Sequence, residues 1–335
     1  MQRWSHRWAR LAQSSAVTSI SSWQREPEWP LYYAACCLGA SFVVHATGYC
    51  LARCGVVFAP PIWEGRTGWR KPMLFGISNA LVFVALRAAL RSQRLVQRSA
   101  AAHAAAWSTL VEVGIITLQA WRDEPSHFNM KTPLDALLYA LKLAGVTVLG
   151  VLCLAATAGC LLRPSICGPQ LEALRCGMSL LSYAVAVGFV QVVYGHSLLS
   201  GSITMDAAAE SECRHVTAGA SGAPCYEVYD LARLKILHFV PLHSTESLLA
   251  LAWVVQHAGL TEGHAVATVR VAAVGHLLVT LGSTWQAAKG SALSLRGIAR
   301  LELQTPAAVA TVFGLLAILC AFGRAGVAAA ASRAE

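Results

Sequence analysis

The chain has 335 residues, of which 56% are hydrophobic and only 13% are charged. A soluble domain carries about 25% charged residues, so the composition excludes a disordered chain and argues against a soluble enzyme, whose surface needs more charge. The mean hydropathy of +0.53 indicates a protein that crosses the lipid bilayer several times. The net charge of +9 suits anionic lipid surfaces, and no basic stripe with interleaved aromatics points to nucleic acid.

The first 30 residues form a basic N-terminal segment that precedes the apolar part of the chain. Arg3, Arg7 and Arg10 all occur before the first acidic residue, Glu26. Such a composition is typical of a mitochondrial transit peptide, and also of a cytoplasmic flank that sets membrane topology. We therefore expect either the plasma membrane or the mitochondrial inner membrane, with residues 1–25 cleaved in the second case.

Eight apolar runs are long enough to span the bilayer, since a helix needs about 20 residues to cross the hydrocarbon core. The runs are continuous instead of alternating, which excludes a barrel. We predict an all-α transmembrane bundle of about eight spans over residues 31–325, with a polar loop at 200–232 and a C-terminal tail at 326–335. The runs cover residues 34–58, 72–90, 103–121, 133–162, 176–199, 236–257, 266–286 and 306–323.

Eight spans place both chain termini on one side of the membrane, which we name side A; the opposite side is side B. Lysines and arginines divide evenly between the two sides, so the positive-inside rule gives no orientation. Cys213 and Cys225 share the long side B loop, where a disulfide requires an oxidising compartment.

Two segments half a chain apart resemble one another. The string TLQAWR at 117–122 ends the third span, and TWQAAK at 284–289 ends the seventh. A Thr-Pro pair opens the span that follows each segment. The matched order predicts a tandem repeat of two four-helix halves, related by an axis along the membrane normal.

Polar residues gather at the side B ends of the predicted spans. Ionisable groups are expensive inside a bilayer unless they are paired or used, so the collection predicts a site for a small-molecule substrate. Glu112 and Glu246 lie within spans, where they could relay protons. For any one of these residues, a structural ion-pair network is the alternative. The candidate substrate-binding residues are Lys71, Gln119, Arg122, Asn129, Gln286 and Lys289.

Histidines near side B are candidate metal ligands, because neutral imidazole binds several transition metals. A divalent metal would be held by His127, His238 and His243; the last two can converge only if a helix starts at Pro241. Haem would need an opposed pair of buried histidines, for which His45 and His276 are the candidates.

Three strings carry a resemblance to known proteins. The dipeptide KP at 71–72, the pattern QxxRxxPSHFN at 119–129 and the pattern HFxxLH at 238–243 resemble, in this order, bacterial multi-pass membrane proteins of unknown function. Asp123 and Pro241 replace glycines of that pattern and lack the backbone freedom of glycine. The resemblance implies an all-helical membrane fold and no particular reaction.

Three classes of function remain open at this point. The histidines favour a metal- or haem-dependent membrane enzyme, which ranks slightly first. The repeat and the intramembrane acids favour a transporter or channel for a small anionic or proton-coupled solute. The third class is a structural subunit of a membrane complex, and an oligomer is compatible with each class. No P-loop, nucleophile elbow, dinucleotide fingerprint or HExxH string occurs, so enzymes built on those motifs are not indicated.

Overall fold

A computed structural model describes residues 26–56, 69–93, 98–122, 124–199, 237–288 and 306–334. Within these ranges the chain forms eight helices and no strand, apart from one isolated bridge between Gln93 and Pro164. In chain order the helices are α1 Trp29–Arg53, α2 Arg70–Arg91, α3 Arg98–Trp121, α4 Pro133–Leu162, α5 Gly168–Leu199, α6 Ser244–His257, α7 Glu262–Ala288 and α8 Pro306–Ala334.

Seven of these helices are long and apolar enough to cross a membrane, so the chain is an integral membrane protein and the predicted all-α bundle is confirmed. The exception is α6, whose 14 residues extend about 21 Å at 1.5 Å per residue. Residues 237–242 are also helical, and a turn at His243 separates them from α6. The sixth predicted span is therefore an interrupted helix.

Some predicted segments differ from the structure or lie outside the described residues. Helix α8 continues to Ala334, where we predicted a separate tail, because the alanine-rich end is a strong helix former. The basic segment at 1–25, the polar loop at 200–232 and the Cys213–Cys225 pair lie outside the described residues. The predictions for those segments stay predictions.

The helices pack in the same pairs in the two halves of the chain. In the first half, α2 and α3 pack on each other, and both contact α1 and α4. In the second half, α6 and α7 pack on each other, and both contact α5 and α8. The halves meet through α2 and α4 on one side and α5 and α6 on the other.

Close helix crossings in both halves use residues without large side chains. A β-carbon added to Gly275 of α7 would lie 2.6 Å from the backbone oxygen of Gly314 of α8. In the first half, a β-carbon on Gly145 of α4 would lie 2.8 Å from the backbone oxygen of Ser108 of α3. The separation between Ser108 and Gly275 along the chain equals that between the two similar segments. The two crossings therefore involve matching positions of α3 and α7.

Acidic residues before α1 pair with arginines at the side A end of the bundle. Arg87 contacts Glu26 at 2.6 Å, Arg91 approaches the same carboxylate at 3.5 Å, and Arg98 lies 3.4 Å from the buried Glu28. The hydrogen bond from Arg87 and the charges of both arginines hold the pKa of Glu26 below its ordinary value of 4.5. These pairs fasten the start of α1 to α2 and α3.

The side A ion pair predicts a pH-dependent stability. Because folding lowers the pKa of Glu26, the pair stabilises the protein above pH 4.5, and this contribution disappears as the pH falls through the lowered pKa. Glu26→Gln should reduce stability at neutral pH by about 0.2–1 kcal/mol, as for exposed pairs. Thermal unfolding in detergent should show the wild type and the variant converging at acidic pH; a constant difference would contradict the assignment.

The α7–α8 crossing predicts a position-specific effect of one methyl group. Gly275→Ala should lower the unfolding temperature, because overpacking costs about 1–3 kcal/mol and the opposing atom belongs to the backbone. Gly323→Ala in α8 is the matched control, since no atom lies within 4 Å of its β-carbon position. Equal unfolding temperatures for the two variants in the same detergent would refute the close crossing.

Candidate functional site

The side B polar cluster is built on the first turn of α4. Thr132 has extended backbone and caps the helix, since its hydroxyl accepts a hydrogen bond from the backbone N–H of Asp135. Pro133 suits the first helical position, where no N–H is needed. Asp135 therefore sits in the first turn, where an acidic side chain is favoured by the helix dipole, and only 2% of it is exposed.

The end of α3 supplies the partners of this carboxylate. Gln119 donates to Asp135 Oδ1 at 3.0 Å, Arg122 donates to the same oxygen at 2.9 Å, and Thr132 donates to Oδ2 at 2.6 Å. Arg122 also donates to the amide oxygen of Gln119. Gln119 and Arg122, predicted as substrate-binding residues, thus form a closed network with Asp135.

The SHFN string forms a folded loop between α3 and α4. Phe128 has a φ of 55°, a left-handed conformation that is uncommon for a large side chain. Its ring lies 5.4 Å from the ring of His196 and 5.7 Å from that of Tyr139. A β-carbon on Gly195 would collide with the Phe128 ring, so the glycine leaves the room that Phe128 occupies. The loop thereby joins α4 to the end of α5.

Asn129 and His127 have local partners in this loop. Asn129, which is buried, accepts from the backbone N–H of Lys131 at 3.3 Å and donates to Glu124 at 3.4 Å. His127 lies 3.0 Å from the Ser126 hydroxyl and packs against the ring of Phe75. Asn129, one of the predicted substrate-binding residues, therefore stabilises the loop.

Glu112 forms part of a buried pair of opposite charges between α3 and α4. Its side chain is 4% exposed and that of Lys142 is 3% exposed, and the two interact electrostatically. Lys142 also lies 5.0 Å above the ring of Tyr139, whose hydroxyl is 2.9 Å from His196 Nε2. Glu112 is a predicted intramembrane acid, and it has a charge partner.

Glu246 differs from the other buried acids. It lies in the first turn of α6, a helix that packs on α5 and also contacts α2. Its side chain is 13% exposed, and neither carboxylate oxygen has a hydrogen-bond partner among the described residues. His243 Nδ1 is 3.7 Å away and likewise lacks a hydrogen-bond partner in the described ranges. The electrostatic influence of Glu246 reaches Cys153 on α4.

The helix interruption at His243 positions this pair. Pro241 has no backbone N–H to donate, and His243 has φ −103° and ψ 15°, which are not helical values. Its Nε2 is 2.9 Å from the hydroxyl of Ser78 on α2. Ser78 belongs to the first half and His243 to the second, so the two halves meet at this hydrogen bond.

The predicted metal site of His127, His238 and His243 does not form in the part of the chain that the structure describes. No group of three His, Cys, Asp or Glu side chains there is close enough to hold a metal ion. His238 Nδ1 bonds to the backbone oxygen of Ala184 at 2.8 Å, which directs the ring towards α5. The three histidines thus contact three different neighbours.

The proposed haem pair of His45 and His276 also disagrees with the contacts. His276 Nδ1 is 3.2 Å from the hydroxyl of Ser244, and Nε2 is 3.0 Å from that of Ser247. Both ring nitrogens are therefore occupied by hydroxyl groups of α6. His276 fastens α7 to α6 and offers no nitrogen to an iron atom in this arrangement.

The remaining predicted residues are spread over the side B ends. Lys71 lies in the first turn of α2, and Gln286 lies in the last turn of α7. Lys289 is outside the described residues. The sequence reading missed Ser78, although a polar residue near the middle of a transmembrane span is a signal that could have identified it.

The network around Asp135 predicts a loss of stability on a nearly isosteric change. Asp135→Asn removes the negative charge that Arg122 contacts and one of the two acceptor oxygens of the network, which should cost about 1–3 kcal/mol. The exposed Glu262→Gln is the matched control. Thermal unfolding in detergent measures both variants, and an unchanged melting temperature for Asp135→Asn would show that the network is not formed.

Comparisons of the chain with protein-family models, with curated proteins and with solved structures find no match. The resemblance to bacterial multi-pass membrane proteins therefore stays a prediction. The function has to be argued from the site, and its most distinctive feature is Glu246, whose carboxylate has no hydrogen-bond partner among the described residues and lies 3.7 Å from His243.

Proposed function

We propose that this protein is a proton-coupled transporter of a small solute, in which Glu246 and His243 hold the coupling proton. The observation that carries the proposal is that both oxygens of the buried Glu246 carboxylate lack a hydrogen-bond partner among the described residues. Leaving a buried carboxylate without a hydrogen bond is strongly unfavourable. Ionisable residues that remain in such positions within membrane proteins mark ion or proton pathways.

The location of Glu246 supports a transport role. In secondary transporters, coupling ions bind at the interface between repeats, where helices are discontinuous. Here the interrupted helix at His243 contacts Ser78 of the other half at 2.9 Å. Interrupted backbone at membrane depth is tolerated where it is buried in protein or lines a cavity. The interruption at His243 lies beside Glu246, as expected for a helix break that belongs to an ion-binding site.

The chemistry of the pair suits proton transfer. An imidazole nitrogen and a carboxylate oxygen 3.7 Å apart can shorten to a hydrogen bond after a small rotation of either side chain. A proton on His243 Nδ1 or on Glu246 would then be shared by the pair. The Ser78 hydroxyl contacts the other imidazole nitrogen, Nε2. A proton that binds at Nδ1 can therefore change the hydrogen bond that His243 makes with the other half of the protein.

The matching packing of the two halves supports alternating access as the mechanism. Halves related by an axis along the membrane normal can rock against each other around a fixed site. The α2–α6 contact lies between them, and breaking the Ser78–His243 hydrogen bond would remove one polar contact between the halves, which also pack through α4 and α5. Protonation of the pair thus offers a way to couple proton binding to this movement.

Proton flux into reconstituted vesicles tests the proposal. Purified protein is placed in vesicles that contain a pH-sensitive dye, and monocarboxylates, dicarboxylates, amino acids and alkylamines are added outside in turn. We expect at least one solute class to drive proton movement. Glu246→Gln should reduce that movement to the level of empty vesicles, because the amide keeps the shape of the side chain and cannot carry the proton.

Glu262→Gln is the matched control, since Glu262 is an exposed glutamate at the start of α7 and far from the helix interruption in sequence. It should retain wild-type flux. Correct insertion of each variant is checked by its elution from a sizing column before reconstitution. Undiminished flux in Glu246→Gln, or no solute-driven flux in the wild type, contradicts the proposal.

A further inference from the structure

The charged cluster at the side A edge between α1 and α2 holds more positive than negative charge. The same carboxylate oxygen of Glu26 lies 2.6 Å from Arg87 and 3.5 Å from Arg91. In the other side A ion pairs of the described residues, Glu28 and Glu172 each face one arginine. One carboxylate balances one guanidinium group, so this cluster keeps an excess of positive charge.

Arg91 presents this excess charge at the surface. Its side chain is 49% exposed, whereas that of Arg87 is 20% exposed. Arg87 donates a short hydrogen bond to Glu26, but the 3.5 Å approach of Arg91 is longer than the 2.7–2.9 Å that is usual between a guanidinium and a carboxylate. The N–H donors of Arg91 can therefore bind an acceptor that comes from outside the protein.

The ring of Tyr32 holds Arg87 at this edge. The guanidinium carbon of Arg87 lies 4.1 Å above the ring centroid, a cation–π arrangement, and Tyr32 is itself 37% exposed. A guanidinium that is already oriented loses little freedom when it binds an oxyanion. The cluster thus has one arginine fixed in place and a second one exposed beside it.

An apolar surface continues from the cluster towards the membrane centre. On α2, Val84 lies three residues before Arg87 and seven before Arg91, which places all three on one helix face. On α1, Val43 lies eleven residues, about three turns, beyond Tyr32. Val84 and Val43 are 57% and 58% exposed. The edge therefore has a cationic end at the membrane surface and an apolar part at the depth of acyl chains.

We propose that this edge binds an anionic phospholipid of the side A leaflet, whose phosphate accepts hydrogen bonds from Arg91 and whose acyl chains lie along Val84 and Val43. Arginine matches the geometry of phosphate oxygens, and basic residues next to a span attract anionic head groups. A zwitterionic lipid carries the same phosphate together with an ammonium group, so it brings no net charge to balance the cluster. The excess positive charge beside Glu26 selects the anionic lipid.

Native mass spectrometry of the purified full-length chain tests the proposal. Phosphatidylglycerol and phosphatidylcholine with identical acyl chains are added together in detergent, and the ratio of the two bound lipids is measured. We expect the wild type to bind phosphatidylglycerol preferentially. Arg91→Gln should lower this preference about fivefold, the effect of one arginine near an anionic head group.

Two matched variants separate lipid binding from a structural role of the cluster. Glu26→Gln breaks the same ion pairs but increases the excess positive charge, so it should raise the preference for phosphatidylglycerol; a purely structural cluster would not gain affinity. Arg270→Gln removes an equal charge from an exposed arginine that is balanced by Glu172. It should keep the wild-type preference.

The stacking on Tyr32 gives a third comparison. Tyr32→Phe keeps the aromatic face and should retain the preference, whereas Tyr32→Ala should lower it. Soluble glycerophosphoglycerol, which has the head group without acyl chains, should not displace the lipid even in large excess. Glu246→Gln should bind lipid as the wild type does, because this surface is independent of the proposed proton pair.

Several results would overturn the proposal. Equal binding of the two lipids by the wild type removes the selectivity for anionic head groups. An unchanged preference in Arg91→Gln, or an equal loss in Arg270→Gln, shows that the net charge of the protein and not this edge attracts the lipid. Displacement by glycerophosphoglycerol shows that the cluster takes a free phosphodiester and not a membrane lipid.

Discussion

The constraint that organises this protein is the expense of charge in a bilayer. A carboxylate or ammonium group surrounded by hydrocarbon must be neutralised, solvated or used. Asp135 is held by Arg122 and Gln119 at 2.9 and 3.0 Å, and Glu112 interacts electrostatically with the buried Lys142. Glu246 alone among the acids of α3, α4 and α6 has two oxygens without a hydrogen-bond partner in the described part of the chain. For this reason we propose Glu246 as the residue that holds the coupling proton.

The two halves explain why this exception lies where it does. Within each half, the helices satisfy the backbone hydrogen bonds. The last two helices of each half cross closely at small residues, Gly145 with Ser108 and Gly275 with Gly314. The contact between the halves is different, since it contains the Ser78–His243 hydrogen bond and an interrupted helix. Apolar packing of α4 on α5 also joins the halves, and the Ser78–His243 hydrogen bond adds a polar contact beside the helix interruption.

Sequence reasoning predicted the helices well because length and hydropathy decide them in a membrane. It also predicted the start of α4, where Thr132, Pro133 and Asp135 form a recognisable cap. The three predicted metal ligands do not come together in the described part of the chain, because histidine spacing does not reveal ring direction: His238 turns to the backbone of Ala184. The sequence did not decide whether the helix is interrupted near His243, because Pro241 stands in a continuous apolar run. The polar Ser78 within a span is a local signal, but its pairing with His243 on a distant helix is not.

Infrared spectroscopy can detect whether the Glu246 carboxyl group takes up a proton. Difference spectra between acidic and alkaline samples are recorded for Glu112→Gln, which removes the other intramembrane glutamate, and for the same variant with Glu246→Gln added. We expect a protonated-carboxyl band from a shielded environment that shifts in heavy water and is lost when Glu246 is replaced. Identical spectra of the two variants in the carboxyl region would contradict it.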